Sequence, residues 1–378
     1  MVTLESDTTY TVSLVAPPNL DRSYQMESKY NNINYIGRFN PFHKGHLETV
    51  KKAAEMSVYV TLIVGSTGVP ATSKNPLSFK QRKELIKCSL GQAGIDLQFI
   101  RILDQRDYKY NEPLWTAEVL QKGTLSGKNG IIGHNKDESS YYLSHFKEWE
   151  YINMDNVDNI NATDIRKAAY EVLDGEVDYQ EQRKKEKSFE KYVVRVMGHD
   201  AGTRFIWLTY NEKNMSDAYE DWKAIEAYKK SWSTAPFPPV FVTGDAVCIQ
   251  GHSVLLIQRG DYPGKGLWAL PGGFLDQGET LKECIIRELM EETDIDVPRK
   301  VLVGSMQEPV MFDSPDRSLR GRSITHAALI TLDDSNPLPR VKGSDDAQKA
   351  WWHSIAEIPR NQMFEDHYDI LTTLLKLT

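Results

Sequence analysis

The most informative stretch of this 378-residue sequence is Gly273-Phe-Leu-Asp-Gln-Gly-Glu279-Thr-Leu-Lys-Glu-Cys-Ile-Ile-Arg287-Glu288-Leu-Met-Glu291-Glu292-Thr-Asp294-Ile295. It follows the pair Pro271-Gly272, and we expect a tight glycine turn there with a positive φ angle, which glycine adopts without steric cost. Thr280 and Glu283 then have the spacing of a capping box, in which each side chain bonds the other residue's backbone N–H group. This pattern predicts a helix that starts at about Leu281.

The predicted helix has an apolar face, formed by Leu281, Cys284, Ile285 and Leu289. Successive helical residues are about 100° apart, so Glu288 and Glu292 project onto this face and Glu291 lies at its edge. Carboxylates that face a protein interior are costly unless a cation meets them, and clustered oxygen ligands suit Mg²⁺ or Mn²⁺. A solvated acidic helix is the alternative, but its charges would lie opposite the apolar face. We therefore expect the three glutamates to bind metal.

The spacing Gly-x5-Glu-x7-Arg-Glu-Leu-x-Glu-Glu, which begins at Gly273, is similar to the signature of the Nudix hydrolases. These enzymes cut nucleoside diphosphates that are linked to another group. The resemblance implies that Glu288 and Glu292 are catalytic, and that the metals bridge the diphosphate and lower the pKa of a bound water. It also implies that Glu279 supports the site by positioning Arg287 and the metal ligands.

Three other features of this half of the chain bear on the site. The Nudix pattern usually has Gly where this chain has Asp294, and Asp can adopt the left-handed conformation that closes a helix. Asp345-Asp346 lies where many Nudix enzymes carry a further acid, but a solvated turn is the favoured interpretation of this pair. A basic cluster could grip phosphate or ribose, or could simply be a charged surface; its members are Arg317, Arg320 and Arg322.

Length and composition limit the classes of protein to which this chain can belong. The chain is long enough for two or three domains, and 40% hydrophobic and 26% charged residues are typical of a globular protein. The net charge of −8 argues against a general nucleic-acid binder, and no apolar run approaches membrane-spanning length. Cys88, Cys248 and Cys284 are scattered and lack metal-ligand spacing, which favours a reducing cytoplasm. We expect a cytoplasmic protein that binds neither nucleic acid nor membrane; whether it forms a homo-oligomer stays open.

Alternating β and α segments in the N-terminal half predict a doubly wound parallel sheet, and ligands of such sheets bind beyond the carboxyl ends of the strands. The expected strands are 33–37, 58–65, 97–103 and 129–133, with helices near 47–54, 79–90 and 115–121. Residues 177–232 have a charged, helical pattern, and the Pro-rich run 235–239 marks a domain boundary. Beyond it we expect strands at 240–243, 245–249, 254–257, 301–304 and 324–331, and a closing helix over 366–377.

The first predicted strand leads into Gly37-Arg38-Phe39-Asn40-Pro41-Phe42-His43-Lys44-Gly45-His46 and then a helix. A loop that opens a helix is a ready anion site, because the first turn presents free N–H groups and the positive end of the dipole. The stretch lacks the Gly-Lys-Ser/Thr of a P-loop, so it is not a Walker-type site. Either both histidine side chains point to one place and contact a ligand there, or they only form hydrogen bonds within the turn.

His-x-Gly-His resembles the signature of the nucleotidylyltransferase superfamily, and the longer stretch Gly37–His46 resembles nicotinamide mononucleotide (NMN) adenylyltransferases of the archaeal type. The segment Asn161-Ala-Thr163-Asp-Ile-Arg166 is similar to that family's Ser/Thr-x-Ile-Arg element. There, a hydroxyl and a guanidinium hold the β- and γ-phosphates of ATP, a suitable task for a bidentate side chain. This resemblance covers residues 33–180 and implies that the 5′-phosphate of NMN attacks the α-phosphorus of ATP, giving NAD and pyrophosphate.

The same resemblance assigns roles to individual residues. It implies that the catalytic residues are His46 on the α-phosphate, His43 on the departing phosphates and Arg166 as a positive support. Further ATP- or phosphate-binding residues are Gly37, Arg38, Phe39, Lys44, Gly45 and Thr163. Asn111 and Trp115 fall where the family has an NMN-binding Asn and Trp, although Trp115 could be a core aromatic. The run Gly133-His134-x-Lys136-Asp137 is expected near adenosine or ribose.

The whole chain resembles a bacterial and phage family that fuses an NMN adenylyltransferase to a Nudix ADP-ribose pyrophosphatase, including the stretch Pro263–Gly273. The implied fold is α/β, with a Rossmann-like doubly wound nucleotidylyltransferase domain and a Nudix α/β/α sandwich. The implied substrates are ATP, NMN and ADP-ribose, with Mg²⁺ or alternatively Mn²⁺. The expected division is an extension at 1–30, the first domain at 31–180, a helical connection at 181–234 and the Nudix domain at 235–378.

Two other functions stay open at this point. The first is another nucleotidylyltransferase, such as a pantetheine-phosphate adenylyltransferase, joined to a Nudix domain that cuts NADH or a sugar nucleotide. The second is a regulator whose Nudix domain only senses ADP-ribose. A regulator of that kind should lose the metal carboxylates and add a basic DNA-reading helix, and the sequence shows neither feature.

Overall fold

The computed structural model describes residues 28–134, 145–154, 160–175, 177–344 and 347–377. Its N-terminal part alternates strands and helices as the sequence predicts. These elements are β1 Tyr30–Gly37, α1 Lys44–Met56, β2 Ser57–Val64, α2 Phe79–Gln92, β3 Ile100–Asp104, α3 Glu112–Gly123, β4 Asn129–Gly133, β5 Glu150–Asn153 and α4 Ala162–Leu173.

The five strands form a parallel sheet in the order β3-β2-β1-β4-β5. Strands β2 and β3 lie on one side of β1. The chain then crosses over, so that β4 and β5 lie on the other side. A doubly wound sheet has its ligand crevice at such a reversal, outside the carboxyl ends of the central strands. The loop after β1 therefore lies at the position where this fold binds ligands.

The third strand begins later than its apolar sequence predicts. Leu97–Phe99 forms a single 3₁₀ turn, and Asp96 caps it by accepting the backbone N–H of Gln98 at 3.0 Å. Ile100–Asp104 then pairs with β2. The apolar side chains suit either conformation, but the aspartate cap bends the chain locally and delays the strand.

Three helices connect the two halves: α5 Tyr179–Met197, α6 His199–Asn211 and α7 Lys213–Ser231. The charged run 181–191 is mostly exposed, as expected of a solvated face, but Phe189 within it is buried. Phe189, Phe205 and Met215 share one apolar cluster with Leu85 of α2 and Ile165 of α4. The connecting helices thus pack directly on the parallel-sheet domain.

The C-terminal part is a mixed sheet between helices. Its elements are β6 Val240–Gln250, β7 Ser253–Arg259, β8 Trp268–Ala269, β9 Gly272–Phe274, α8 Leu281–Thr293, α9 Arg299–Gly304, β10 Val310–Phe312, β11 Arg322–Leu332, β12 Ala347–Ser354 and α10 His367–Leu374. The main path is β10-β11-β6-β7-β12, with β8 beside β7 and β9 beside β6. Alternate residues of β6 face opposite layers: Ala246 packs with Ile285 of α8, and Val247 packs with Ile370 of α10. This is the expected α/β/α sandwich.

The structure corrects two predictions for this domain. Residues 301–304 were expected to form a strand but belong to α9, which follows Pro298. Leu302 is the buried residue of that helix and packs in the α8 layer, so tertiary contacts override the strand preference of its valines.

The second correction concerns the glycine pair before α8. Gly272 and Gly273 are not in a positive-φ turn, since they belong to β9 and pair with β6. Glycine is needed there for space: a Cβ on Gly272 would lie 2.2 Å from Oδ1 of Asp245, and one on Gly273 would lie 2.3 Å from Oε1 of Glu288. The pair lets the backbone approach two carboxylates closely.

Candidate active sites

The loop after β1 brings the predicted histidine pair to the carboxyl end of the parallel sheet. His43 is the residue before α1, and Lys44 and Gly45 lie in the first turn of that helix. The backbone N–H of His43 donates to Nδ1 of His46 at 3.2 Å. Because Nδ1 accepts this bond, a neutral His46 carries its proton on Nε2, which is thus a hydrogen-bond donor.

The two imidazole rings are stacked. Their centroids lie 3.7 Å apart with an interplanar angle of 27°. Phe39 and Phe42 pack against His46, with centroid distances of 5.0 and 5.4 Å, and Phe39 adopts a left-handed φ of 49°. His43 is buried. The phenylalanine rings therefore hold the His46 ring, and stacking holds the His43 ring beside it.

Arg166 enters the same region from the start of α4, a helix that Asn161 caps by accepting the N–H of Asp164 at 2.8 Å. Its guanidinium donates to the carbonyl of Asn40 at 2.8 Å and to Oγ1 of Thr163 at 3.1 Å. Burial lowers the pKa of Arg166 to about 10, so the side chain remains cationic at neutral pH. The structure thus joins the Thr163 and Arg166 segment to the histidine loop.

A cavity of about 410 Å³ lies beside this junction and is lined by cationic and hydroxyl side chains. These include Arg38, Lys74, Thr163, Arg166, Lys167 and Tyr170. Such a lining suits the phosphates of a nucleotide, because several cations surround a space that is open to a ligand.

Arg82 is a structural support of this site that the sequence prediction did not include. It is 1% exposed and donates to three carbonyls, those of Arg38 and Gly65 at 2.7 Å and that of Ser66 at 3.0 Å. These carbonyls follow β1 and β2, so one guanidinium fixes both loops. A signal exists in the sequence, because Arg82 lies on the same helical face as the apolar residues at 85 and 86.

A second cavity, of about 500 Å³, shares Arg38 with the first as a lining residue. Trp115 of α3 lines it together with Asp107 and Lys109 of the preceding loop, and also packs against Phe146 of a core cluster, with ring centroids 5.8 Å apart. Asn111 does not line this cavity; it caps α3 by accepting the N–H of Leu114 at 3.2 Å. Asp316 of the C-terminal domain contributes to the lining, which the sequence does not predict.

Beyond β4, His134 donates from Nδ1 to the carbonyl of Met154 at 2.8 Å. Because β4 lies beside β1 on the far side of the crossover, His134 is at the reversal point of the sheet. The remaining residues of that predicted nucleoside contact, Lys136 and Asp137, lie outside the described residues.

The helix of the second site forms as predicted. Thr280 and Glu283 make the capping box, with Thr280 N–H to Oε2 at 2.9 Å and Glu283 N–H to Oγ1 at 3.4 Å. Asp294 ends the helix with φ and ψ of 42°, the left-handed conformation expected where the Nudix pattern has glycine.

Arg287 is the centre of the carboxylate cluster on α8. It binds Glu279 through two bonds of 2.7 and 3.0 Å, and its Nη1 donates to Glu288 and Glu291 at 2.9 Å each. The bidentate bond from Arg287 lowers the pKa of Glu279 to about 2. The supporting role expected of Glu279 therefore has a direct geometric basis.

Glu292 is 6% exposed, and its Oε2 accepts the N–H of Gly272 at 2.9 Å. Burial raises its pKa to about 8, and the charges of Glu288 and Asp245 add to this effect. Asp245 is a buried acid on β6 that accepts a hydrogen bond from the Thr325 hydroxyl. The sequence prediction omitted Asp245, although it is a lone acid inside an otherwise apolar strand.

Within the described ranges, no three acidic, histidine or cysteine side chains are already arranged as a metal cage. Arg287 instead lies between two of the predicted ligands. The donor set still fits a divalent cation, because five carboxylates outnumber the guanidinium groups of Arg287 and Arg259 at a partly buried site. These carboxylates are Asp245, Glu279, Glu288, Glu291 and Glu292. Asp345 and Asp346 lie outside the described residues.

The arginines of the basic cluster do not form a single phosphate-binding site, because they have different partners within the protein. Arg317 forms a buried bidentate pair with Asp366, and its side chain is 4% exposed. Arg320 lies over the ring of Phe274 at 5.6 Å and is 3.9 Å from Glu365. Arg317 is therefore a structural residue of the fold.

Two family models match the chain, a cytidylyltransferase-like domain over residues 34–220 and a NUDIX domain over residues 241–374. A crystal structure from Francisella tularensis is similar over almost the full length. It is a bifunctional NMN adenylyltransferase/ADP ribose pyrophosphatase, complexed with AMP and a manganese ion. The two are 37% identical, with a TM-score of 0.81, and the match covers 92% of this chain and 99% of that one. This chain belongs to the same bifunctional family.

Curated relatives match each half of this bifunctional chain separately. A nicotinamide/nicotinic acid mononucleotide adenylyltransferase of Acinetobacter baylyi is 34% identical over 149 residues, covering 38% of this chain and 77% of that protein. An ADP-ribose pyrophosphatase of Methanocaldococcus jannaschii is 32% identical over 135 residues, covering 36% and 73%. Among the described residues, no helix has the length and apolarity needed to cross a bilayer.

Proposed function

We propose that this member of the bifunctional family makes NAD and pyrophosphate from ATP and NMN at its N-terminal site. At its C-terminal site it hydrolyses ADP-ribose to AMP and ribose 5-phosphate. The observation that carries the proposal is the near full-length similarity to the Francisella enzyme, together with both sets of polar residues on one chain. The similarities do not favour a pantetheine-phosphate enzyme or an ADP-ribose-sensing regulator.

The N-terminal reaction is a transfer in which a phosphate oxygen of NMN forms a bond to the α-phosphorus of ATP. The bond from that phosphorus to the β-phosphate oxygen breaks, and pyrophosphate takes the electron pair. We assign Nε2–H of His46 to the α-phosphate and His43 to the departing phosphates, because their stacked rings present donors from one fixed place. No covalent enzyme intermediate is needed.

The remaining N-terminal residues bind and orient substrate. Arg166 and Thr163 would hold the β- and γ-phosphates, with Arg38 and Lys44 as further cations. Backbone groups at Gly37, Phe39 and Gly45 would complete the phosphate loop. Trp115 would stack on the nicotinamide, and Asn111 would act mainly by capping α3.

At the C-terminal site Glu288, Glu291 and Glu292 would hold Mg²⁺ or Mn²⁺. When bound, such an ion neutralises a diphosphate and acidifies a coordinated water. Arg287 and Glu279 would orient the glutamates from outside, and Gly273 leaves room for Glu288 to approach the backbone. One of these ligands, Glu288 or Glu292, would also take the proton of the attacking water.

We also propose a cytoplasmic location with small-molecule partners only. All three cysteines are free, which suits a reducing compartment. For the chain's organisation, we retain the division into 1–30, 31–180, 181–234 and 235–378. Because the helices of 181–234 share an apolar cluster with the parallel-sheet domain, we infer that this segment works as part of the first domain.

The test uses the full-length protein with Mg²⁺ and two single variants. Glu292→Gln should lower ADP-ribose hydrolysis by about a hundredfold or more and leave NAD synthesis intact. His46→Asn should lower NAD synthesis by a similar factor and leave hydrolysis intact. The same assays with pantetheine phosphate as acceptor, and with NADH or a sugar nucleotide as Nudix substrate, should give slower turnover. Loss of both activities in either variant, or preference for the other substrates, would contradict the assignment.

A further inference from the structure

The loop of residues 107–111, between β3 and α3, is held by the C-terminal domain at three points. Arg360 donates to the carbonyl of Asp107 at 2.6 Å. Lys109 lies 3.1 Å from Oδ1 of Asp316. Tyr110 donates its hydroxyl to Oδ2 of Asp366 at 2.6 Å. We call this segment the docking loop. Each of these three contacts joins residues more than 200 positions apart in the chain.

The docking loop is also part of the N-terminal site. Asp107 and Lys109 line the 500 Å³ cavity with Trp115. The carboxylate of Asp107 accepts the N–H of Ser66 at 3.2 Å and its hydroxyl at 2.6 Å, so the loop is tied to the carboxyl end of β2. Helix α3 starts directly after the loop at Glu112, which makes the position of Trp115 depend on where the loop is held.

The acceptor for Tyr110 is firmly fixed. Asp366 and Arg317 have side chains that are 1% and 4% exposed and share two hydrogen bonds of 3.0 Å. Arg317 also donates to the hydroxyl of Ser323 on β11 at 2.9 Å. The ring of Tyr110 packs edge-on against Phe312, with centroids 5.0 Å apart. The tyrosine therefore inserts into the C-terminal domain and bonds a group that cannot move independently of it.

The segment that carries Asp366 is itself anchored to the residues that precede β9. Phe364 donates its N–H to the carbonyl of Trp268 at 2.7 Å, and Leu270 donates its N–H to Nδ1 of His367 at 2.9 Å. Both bonds reach the run 268–270, which leads into β9. The acceptor of the docking loop thus rests on the rigid frame of the C-terminal domain rather than on a surface loop.

We propose that Tyr110, Asp366 and Arg317 are positioning residues for adenylyl transfer, through which the C-terminal domain holds the NMN side of the N-terminal site in place. The proposal rests on the proposed assignment of that site to ATP and NMN. A loop already fixed in its binding conformation loses less freedom when substrate arrives, so NMN binds more tightly. The ATP side does not depend on this contact, since Thr163 and Arg166 are held by the histidine loop.

Tyr110→Phe is the informative variant, because it removes one hydroxyl and leaves the buried Asp366 and Arg317 pair intact. The KM for NMN should rise by about fivefold to fiftyfold. The KM for ATP and the hydrolysis of ADP-ribose should stay within about twofold of the wild-type values, since this bond serves the NMN side only. A general loss of folding would not produce this difference between the two substrates.

Tyr219→Phe is the matched control. Tyr219 also donates to an aspartate, Asp174 at 3.2 Å, but both residues lie outside the docking loop and the C-terminal domain. Its KM for NMN should be unchanged.

Trp115→Ala distinguishes a failure of the site assignment from a failure of the positioning role. A raised KM for NMN in Trp115→Ala with no change in Tyr110→Phe would overturn the positioning role and leave the site assignment standing. No change in Trp115→Ala would overturn the site assignment and the positioning role together. Equal increases in both KM values for Tyr110→Phe would also overturn the positioning role.

Discussion

Gly272 and Gly273 are adjacent glycines whose missing side chains matter for different reasons. A Cβ at Gly273 would meet the end of the Glu288 side chain, which can move. A Cβ at Gly272 would lie 2.5 Å from the backbone carbonyl of Gly244, which cannot move without distorting β6. We expect Gly273→Ala to retain its stability but lose about tenfold to a hundredfold in ADP-ribose hydrolysis, because Glu288 is displaced. Gly272→Ala should lose about 1–3 kcal/mol of unfolding free energy.

Gly278 provides the control for both substitutions, because a Cβ there meets nothing within 4 Å. Denaturant unfolding and hydrolysis assays on Gly278→Ala should match the wild type. Full hydrolysis by Gly273→Ala would show that the close approach of Glu288 to the backbone is not needed for activity.

Helix α8 ends at Asp294, a residue type that is not the most favourable one for the backbone conformation there. Asp294 has φ and ψ of 42°, where glycine has no steric penalty. Asp294→Gly should raise the unfolding free energy by about 0.5–1 kcal/mol, and Asp294→Val should lower it by about 1–2 kcal/mol. Thermal unfolding with ADP-ribose hydrolysis as a parallel readout tests this. A lower melting temperature for the glycine variant would mean that the Asp294 side chain stabilises the helix end by another contact.

The sequence predicts a helix or strand most accurately where the local residue pattern and the burial of its side chains favour the same structure. The capping box and the position of Glu292 on the buried face of α8 follow from spacing alone. The strand expected at 301–304 fails because its valines belong to a helix that packs against α8, a contact that no local pattern encodes. The sequence places Arg82 and Asp245 among buried positions, but it does not encode their partners, which are carbonyls and a hydroxyl on other segments of the chain.

The two domains meet at an interface that encloses a cavity next to the N-terminal site. A cavity of about 390 Å³ between the domains is lined by Arg38 and Lys109 from the first domain and by Arg317 and Phe364 from the second. Fusion of the two activities therefore does more than keep them on one chain, because residues of the Nudix domain line space next to the adenylyltransferase site. ADP-ribose arises when NAD is consumed, so the activities also belong to the same chemistry.

Asp221 of α7 lies at this interface and gives it a pH dependence. Its Oδ1 accepts the N–H of Gly264 at 2.8 Å, and the residue is 6% exposed. Burial raises the pKa of its carboxyl from 3.8 to about 6; Asp217 and Glu365 add to the rise, and Arg259 opposes it. Between these two pKa values the folded protein binds more protons than the unfolded chain. This carboxyl therefore lowers the unfolding free energy as the pH rises through that window.

Asp221→Asn should remove this loss of stability, because the amide oxygen can still accept the Gly264 N–H without a buried charge. Above pH 7 the variant should melt at a higher temperature than the wild type, by an amount that corresponds to about 1–3 kcal/mol. The difference should shrink as the pH falls from about 6 towards 4, where the wild-type carboxyl is protonated. Glu226→Gln, an exposed carboxylate on the same helix, should show no such trend. An Asp221→Asn advantage that stays constant from about pH 4.5 to 8 would mean that the mutation acts through packing rather than through the charge.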